Sequence, residues 1–444
     1  MKATPHTALH LIARCLFTAL TVIALAGLGT SLERAVRASQ APTPAFDDVD
    51  GDLDGRDMRE PASHRPTVEA AFAAQSYRPG SVARLISFDS ARRVTIQLYR
   101  VTGMYGRLTA RDRMRGTAVG APLHVASLTD GGSVSIRLGD WPSALYYAEL
   151  TAPGGRVGYA PFVLAPKRLG THGIAVVLPT ETWQAYNFRD DDHNGTSDTW
   201  YAGVIHTARL VRPFENRGVP PHYRYYDEPF LRWLAVHKIG VDVLSNAELN
   251  TVSGERLARA YDLLIFEGHH EYVTSEEYDA VVRYRDLGGN LMFLSANNFF
   301  WKITIRNDVM TRVVRWRDIG RPEAALIGVQ YYANDLGEHR NGWTVRSSQA
   351  GRWIFAGTGM EAGSLFSSGG IEADEVQAAS PRNVQVLAEI RNLFGDGRDA
   401  QMTYYTTPQG AKVFAAGAFS LACSVFQPPV TRLMLNVLTV LSEP

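Results

Sequence analysis

Four short, unbroken apolar runs constrain this chain more than anything else in it: GIAVVLP (173–179), VDVLS (241–245), DLLIFEG (262–268) and NLMFLSA (290–296). None alternates apolar with polar residues, so a strand built from any of them must be covered on both faces. That is the pattern of buried parallel strands. Parallel neighbours need crossover elements between them, and the intervening sequence supplies helices. Phe230, Leu231, Leu234 and His237 mark one helical face. A second helix opens with a capping box at Thr274–Glu277, buries Tyr278, Val281, Val282 and Leu287, and stops at Gly288-Gly289. Further helices are predicted over 383–394 and 431–442. The expectation for residues 167–444 is a doubly wound α/β sheet.

Residues 77–166 have a different texture. SVARLISF, RRVTIQLYR, GSVSIRL, ALYYAELTA and GYAPFVLAP carry β-branched or aromatic residues on one parity, with turns at Asp130-Gly131-Gly132 and Pro153-Gly154-Gly155. This predicts a small immunoglobulin-like β-sandwich. Residues 39–76, rich in Pro, Asp and Ala, read as an acidic linker. Asp50, Asp52, Asp54 and Gly55 resemble the front of a calcium loop, but Pro61 stands where its closing carboxylate belongs.

Residues 1–38 place Lys2 and Arg14 ahead of the apolar run LFTALTVIALAGLG, with a small-residue exit at Val36-Arg37-Ala38. The run is shorter than the roughly 20 residues of a spanning helix, so an export signal is the better reading, with an N-terminal anchor as the alternative. Either way the folded part is expected to be periplasmic or secreted, touching a membrane only through an uncleaved N-terminus. Lys+Arg and Asp+Glu are balanced at 45 each, which argues against a nucleic-acid partner. The two cysteines, Cys15 and Cys423, supply no disulfide framework.

In open α/β sheets ligands bind beyond the carboxyl ends of the strands. Three such ends are loaded with polar and aromatic residues: TETWQAYN (180–187), GHHEY (268–272) and SANNFFWK (295–302). In an extended segment His269 and Glu271 share one side while His270 faces the other, a pairing suited to metal binding or to general acid/base work. GHHEY holds no cysteine, which disfavours the thiol chemistry of glutaminases, and Cys423 reads as a small buried hydrophobe.

The ordered set TWQAYN, RPF (212–214), GHHEY, LSANNFFWK, GIEADEV (370–376) and GAFSLACS (417–424) resembles the C-terminal domain of the N,N-dimethylformamidase large (beta) subunit. SYRPG (76–80) and YAPFVLAP (159–166) resemble the β-sandwich that precedes it, so the likeness covers roughly residues 75–440. It implies a glutamine-amidotransferase-like α/β fold and hydrolysis of a small-molecule amide at an iron held by two tyrosines and a glutamate. Carried onto this chain, the resemblance makes Glu271 the carboxylate ligand and Tyr186 the first phenolate. Tyr201 is the second, with Tyr147 or Tyr226 as replacements. His269 and Glu372 become acid/base groups, and Asn297 orients substrate or water. A homo-oligomer or a separate small subunit is left open as a partner. Val273 stands where the family has tryptophan, so a reshaped pocket wall and a substrate other than dimethylformamide are expected.

After TWQAYN the chain carries an insertion, RDDDHNGTSDTWY (189–201). Asp190, Asp192, Asn194 and Asp198 fall at positions 1, 3, 5 and 9 of a calcium loop, with Gly195 at the sharp turn and Tyr201 in place of the twelfth carboxylate. A structural calcium is expected there. The competing functional reading is non-catalytic, an extracytoplasmic protein binding a glycan or partner through Trp183, Trp200, Phe299, Phe300 and Trp301.

Overall fold

The computed structural model describes residues 62–102, 109–200, 206–335 and 337–443. The leader, the acidic stretch through Pro61 and Tyr201 lie outside these described residues. Among the described residues the chain is a mixed α/β protein of four sheets, with many strands and few helices.

The first eight strands are β1 (Ala70–Phe72), β2 (Ser76–Tyr77), β3 (Val82–Ser87), β4 (Ala91–Arg100), β5 (Thr117–Leu128), β6 (Ser133–Arg137), β7 (Ala144–Ala152) and β8 (Arg156–Leu164). They form a three-stranded sheet, β1-β3-β6, and a five-stranded sheet, β2-β8-β7-β4-β5. Phe72 and Leu85 from the first meet Ile96, Tyr146, Leu150 and Phe162 from the second in one core. Two outcomes differ from the sequence reading. The stretch ending at 76 is not all linker, because Val68, Ala70 and Phe72 are core residues. The strand β5 was not foreseen, because almost all of its twelve residues are solvent-accessible and no apolar alternation marks them.

The second half contains β9 (Ile174–Leu178), β10 (Thr207–Arg209), β11 (Asp242–Ser245), β12 (Leu263–Phe266), β13 (Tyr272–Val273) and β14 (Asn290–Phe293). It continues through β15 (Trp301–Arg306), β16 (Val309–Arg315), β17 (Gln330–Asn334), β18 (Arg340–Val345), β19 (Leu365–Glu375), β20 (Gln385–Ile390), β21 (Ala400–Thr406), β22 (Lys412–Ala415) and β23 (Ala418–Phe419). The four apolar runs are β9, β11, β12 and β14. They pair in parallel in the order β11-β9-β12-β14-β22, and all four are buried throughout. Beyond β22 the sheet turns antiparallel, in the order β21-β20-β18-β19-β17. The helix expected over 383–394 is therefore strand β20. Val384, Val386 and Ile390 are β-branched, and the segment lies between β18 and β21, where ladder pairing overrides its weak helical pattern.

Among the described residues the helices include α1 (Thr180–Ala185), α2 (Tyr223–Tyr226), α3 (Glu228–Val236), α4 (Gly254–Ala260), α5 (Ser275–Asp286) and α6 (Pro428–Leu441), with single turns at Asn246–Leu249, Ala324–Ile327 and Gly351–Ile354. Helix α3 covers the predicted Phe230–His237 face and α6 the predicted C-terminal helix. At α5 the Thr274 hydroxyl caps the Glu277 backbone N–H at 3.1 Å. The reciprocal half of the capping box is absent: the Glu277 carboxyl turns inward and accepts from Asn246 Nδ2 at 2.9 and 3.0 Å.

A four-stranded sheet, β10-β16-β15-β13, lies beside the carboxyl ends of the parallel strands. Its β15–β16 hairpin turns at Asn307-Asp308, with φ of 50° and 60°, the left-handed pair that matches strand twist. Ile303, Met310 and Ala208 pack from this sheet against Tyr186, Trp200 and Tyr272.

The N-terminal layer covers the outer parallel strand. Ser143 Oγ accepts from Val243 N at 2.7 Å and donates to Val243 O at 3.1 Å, occupying the open edge of β11. Leu145, Tyr147, Tyr159 and Val163 join the core of the α/β part there. Ser143→Ala strands both groups of Val243, so unfolding free energy should fall by about 1–3 kcal/mol. The check is a urea titration, which should show a lower midpoint at an unchanged slope.

Candidate active site

Strand β9 ends at Leu178, and α1 follows at once, ending on Tyr186 as its C-terminal cap. Strand β12 ends at Phe266, and Glu267, His269, His270 and Glu271 follow it, all buried. The Tyr186 hydroxyl donates to Glu271 Oε2 at 3.0 Å. His269 Nε2 lies 3.7 Å from Glu271 Oε2 and 3.4 Å from Glu372 Oε2, which arrives on β19. As the spacing predicts, His270 faces the other way, its Nε2 3.1 Å from Val177 O beneath the sheet end. Burial drives His270 down to about 3, so it is a neutral structural group.

Asn297, at the end of β14, bridges the carboxyl groups. Its backbone N–H donates to Asp374 Oδ1 at 2.8 Å, and its side chain is hydrogen-bonded to Glu372. Asn297, Phe299, Ile371, Ser420 and His222 all have φ between 53° and 82°. Left-handed backbone at non-glycine residues costs about 1–3 kcal/mol each and clusters where function holds it. These five stand beside or within the polar loops around the site.

A small pocket opens next to His269, lined by Pro179, Thr182, Trp183, Tyr186, Pro221, His222, Tyr226 and Asp227 with it. Tyr226 stacks on His222 at 5.1 Å and on Phe419 at 4.7 Å, while Phe419 meets the His269 ring edge-on at 4.8 Å.

The electrostatics follow from burial with few cations. Burial, and then His270 and His222, hold His269 well below its usual range, so its imidazole is neutral. Burial, and then the charge of Glu271, raise Glu372 well above the carboxylate range. Burial pushes Asp374 up to about 8. His269 Nε2, Glu372 Oε2 and Asn297 Oδ1 are buried and have no hydrogen-bond partner among the described residues. A site with unmet donors and acceptors at its centre is built to meet something else.

The structure thus brings together Tyr186, His269, Glu271, Asn297 and Glu372. Tyr201 lies outside the described residues. Tyr147 is remote from this group, packed between Tyr99 and Tyr159 in the body of the protein. Tyr226 lines the pocket. Val273 belongs to the main core and does not line the void, so the pocket wall expected to change there is formed by other residues. Sequence reasoning missed Tyr331 on β17, whose phenol is raised by burial and then by Glu372 and Glu271 beside it. Its strand QYYAN lies on the antiparallel extension, which no apolar run announced. Trp183, Trp200, Phe299 and Phe300 are all buried, so of the five aromatics proposed for stacking on a glycan only Trp301 is partly accessible. In the insertion, carboxylate oxygens of Asp190, Asp192 and Asp198 lie within 4.8 Å of one another. Asn194 directs its side-chain amide to Asp192 and its oxygen to Thr196.

Fold and site together define a mixed α/β protein with a buried phenol–carboxylate–imidazole centre at the carboxyl ends of parallel strands. The chain belongs to the family described as N,N-dimethylformamidase beta subunit-like, C-terminal, whose sequence profile matches residues 133–428. It is a dimethylformamidase-like protein. No curated protein matches it. Among solved structures it is similar to superoxide reductase (neelaredoxin) from Ignicoccus hospitalis, at 13% identity over 23% of this chain and 80% of that one, TM-score 0.15. It is also similar to the sporulation control protein Spo0M from Bacillus subtilis, at 12% identity over 24% and 50%, TM-score 0.16. A cycloisomaltooligosaccharide glucanotransferase from Paenibacillus sp. matches at 9% identity over 51% and 45%, TM-score 0.18. Likenesses at these scores carry no argument about fold or activity.

Glu372 gives the site a pH signature. Its folded carboxyl is raised above the ordinary 4.5, so the folded chain keeps a proton that the unfolded chain releases. The associated stability is complete below the unfolded value and is lost as pH rises toward the folded one. In chelator-treated protein, Tm should fall as pH rises above about 5. Glu372→Gln, neutral throughout, should fall roughly 2 °C less or better; an identical decline in both proteins would assign the proton elsewhere.

Proposed function

We propose that this chain is an exported, metal-dependent hydrolase that cleaves the C–N bond of a small-molecule amide. One convergence carries the reading: the Tyr186 phenol lies 3.0 Å from the Glu271 carboxyl, and the His269 imidazole lies 3.7 Å from Glu271 and 3.4 Å from Glu372, so three distant parts of the chain meet. Family membership supports amide chemistry at this place. The donor set fits a hard ferric ion, since phenol and carboxylate oxygens are hard ligands, and His269 Nε2 and Glu372 Oε2 are left without hydrogen-bond partners. Tyr186 and Glu271 would hold the iron with a second phenolate from Tyr201 or from Tyr226, the latter preferred to Tyr147 because it lines the same pocket. When bound, such an ion polarises a carbonyl and lowers the pKa of water.

The remaining work belongs to the chain. Neutral His269 takes the proton from the attacking water, and protonated Glu372 returns one to the departing nitrogen. Asn297 fixes Glu372 and, through its free Oδ1, orients water or the substrate's amide N–H. The same reading assigns residues 167–444 a glutamine-amidotransferase-like fold, supported by five parallel strands with connecting helices. It assigns 77–166 an immunoglobulin-like sandwich, supported by two sheets on a common core. Export rests on the leader at 1–38.

Elemental analysis with a visible spectrum tests the reading. Stoichiometric iron, a phenolate-to-metal band lost in Tyr186→Phe, and amide hydrolysis reduced about a hundredfold or more in His269→Ala are expected. A colourless, iron-free protein inert toward linear amides would sink it. The Asp190, Asp192, Asn194 and Asp198 loop is assigned a structural calcium in the same reading, so added calcium should raise Tm in the wild type and leave it unchanged in Asp190→Ala.

A further inference from the structure

Helix α1 has only six residues, Thr180–Ala185, so its last carbonyls find few partners within the helix itself. Tyr186 follows directly as its C-terminal cap, and the place of its phenol depends on how those carbonyls are held. Arg212 holds the two on either side of Tyr186. Its Nη2 donates to Gln184 O at 2.7 Å and to Asn187 O at 3.1 Å. Its Nε donates to Gln184 Oε1 at 3.1 Å, and its Nη1 to Asp191 Oδ2 at 3.2 Å and to Arg189 O at 3.4 Å. Gln184 Nε2 returns a bond to Arg212 O at 3.1 Å.

The carbonyl next to Tyr186, Ala185 O, is taken from the insertion at 189–201. Thr199 Oγ1 donates to it at 2.7 Å and Trp200 N at 3.3 Å. Asn187 is fixed in turn: its Nδ2 donates to Pro213 O at 2.9 Å, and its Oδ1 accepts from Glu215 N at 3.1 Å. The carbonyls of 184, 185 and 187 are thus each bound by groups from outside the helix, and the segment that carries Tyr186 has little freedom to turn.

Burying a guanidinium is unfavourable unless its N–H groups are met. The Arg212 side chain is fully buried, and Asp191 is its ion-pair partner. A helix end that needed no more than a satisfied carbonyl could use water or an exposed lysine. The planar fork binds several acceptors in one fixed geometry, which an ammonium on a flexible stem does not.

We infer that Arg212, with Thr199, is a positioning clasp for Tyr186: it fixes the main chain on both sides of the tyrosine so that the phenol meets Glu271 Oε2 at 3.0 Å. This role presupposes that Tyr186 serves the hydrolytic site. Arg212 acts through the backbone and takes no part in bond breaking.

Fluorotyrosine placed at position 186 gives a fluorine NMR signal that reports the surroundings of the phenol without metal or substrate. In the iron-free full chain, Arg212→Lys should displace or broaden that signal. Arg217→Lys removes a fork bound to Val157 O and Asp112; it should lower Tm and leave the signal where the wild type has it. In iron-loaded protein, Arg212→Lys should shift the phenolate-to-metal band and lower kcat about tenfold or more, with KM changed less than about twofold. If Arg212→Lys does not fold, Thr199→Val, which removes one of the two bonds to Ala185 O, carries the same comparison. A variant signal coincident with that of the wild type, at a lowered Tm, would overturn the inference, because Arg212 would then hold the fold and not the phenol. A wild type that binds no iron and hydrolyses no amide sinks the hydrolase reading alone, and the fluorine comparison still decides the clasp.

Discussion

The in-register parallel pairing of β9, β12 and β14 is the constraint on which the rest of the molecule depends. Phe266 pairs with Val177 on one side and Phe293 on the other, so the three strands end level and release their polar loops at one edge. Those loops cannot reach bulk water, and they satisfy one another through main chain. Phe299 N donates to His270 O at 2.7 Å, Phe300 N to Glu271 O at 3.0 Å, and Ser295 Oγ to Gly268 O at 2.7 Å. The apolar strands thus carry a polar centre into the interior, and the backbone bonds between loops make that burial tolerable.

Carrying acids inside without cations has a consequence for protonation. Arg312, Arg317 and Arg321 lie over aromatic rings of the small sheet and its surroundings and make no ion pair with Glu271 or Glu372. Glu181 and Glu277 are pushed up by burial, Glu181 to about 8. They are spanned by Asn246, which accepts from Glu181 N and donates to Glu277. Asp227 and Glu267 are raised in the same way and share a hydrogen bond, and the Trp183 indole donates to Asp227 Oδ2 at 3.2 Å. The carboxyl side of the sheet is therefore a store of protons near neutral pH, the opposite of the ionised surface a reader of the composition expects.

The parallel strands were legible because an apolar run with no alternation admits few alternatives, and the three loaded loops were legible because strand polarity tells where they must go. His269 and Glu271 on one side and His270 on the other follow from strand geometry alone. The antiparallel extension was not legible. Its strands are amphipathic and mixed in propensity, so 383–394 read as helix, and Tyr331 went unnoticed with its strand. Glu372 and Asn297 entered through motif resemblance, since nothing in their local sequence says that residues so far apart meet. The choice between Tyr147, Tyr201 and Tyr226 could not be made from spacing, because it depends on how the chain between β9 and β11 folds back, which local pattern does not encode.

The loop after β12 is held by its own main chain. Glu271 O receives two N–H groups, from Phe300 and Trp301, and Gly268 is pressed against Asp227 Oδ1 and Pro179, 2.3 and 3.0 Å from where a Cβ would stand. Position 271 is thus fixed in space irrespective of the side chain it carries. For a lineage of such proteins this separates scaffold from chemistry: the residue at the loop tip can be exchanged without redrawing the backbone. At Gly268, by contrast, any side chain would have to displace the Asp227 carboxyl and the Pro179 ring.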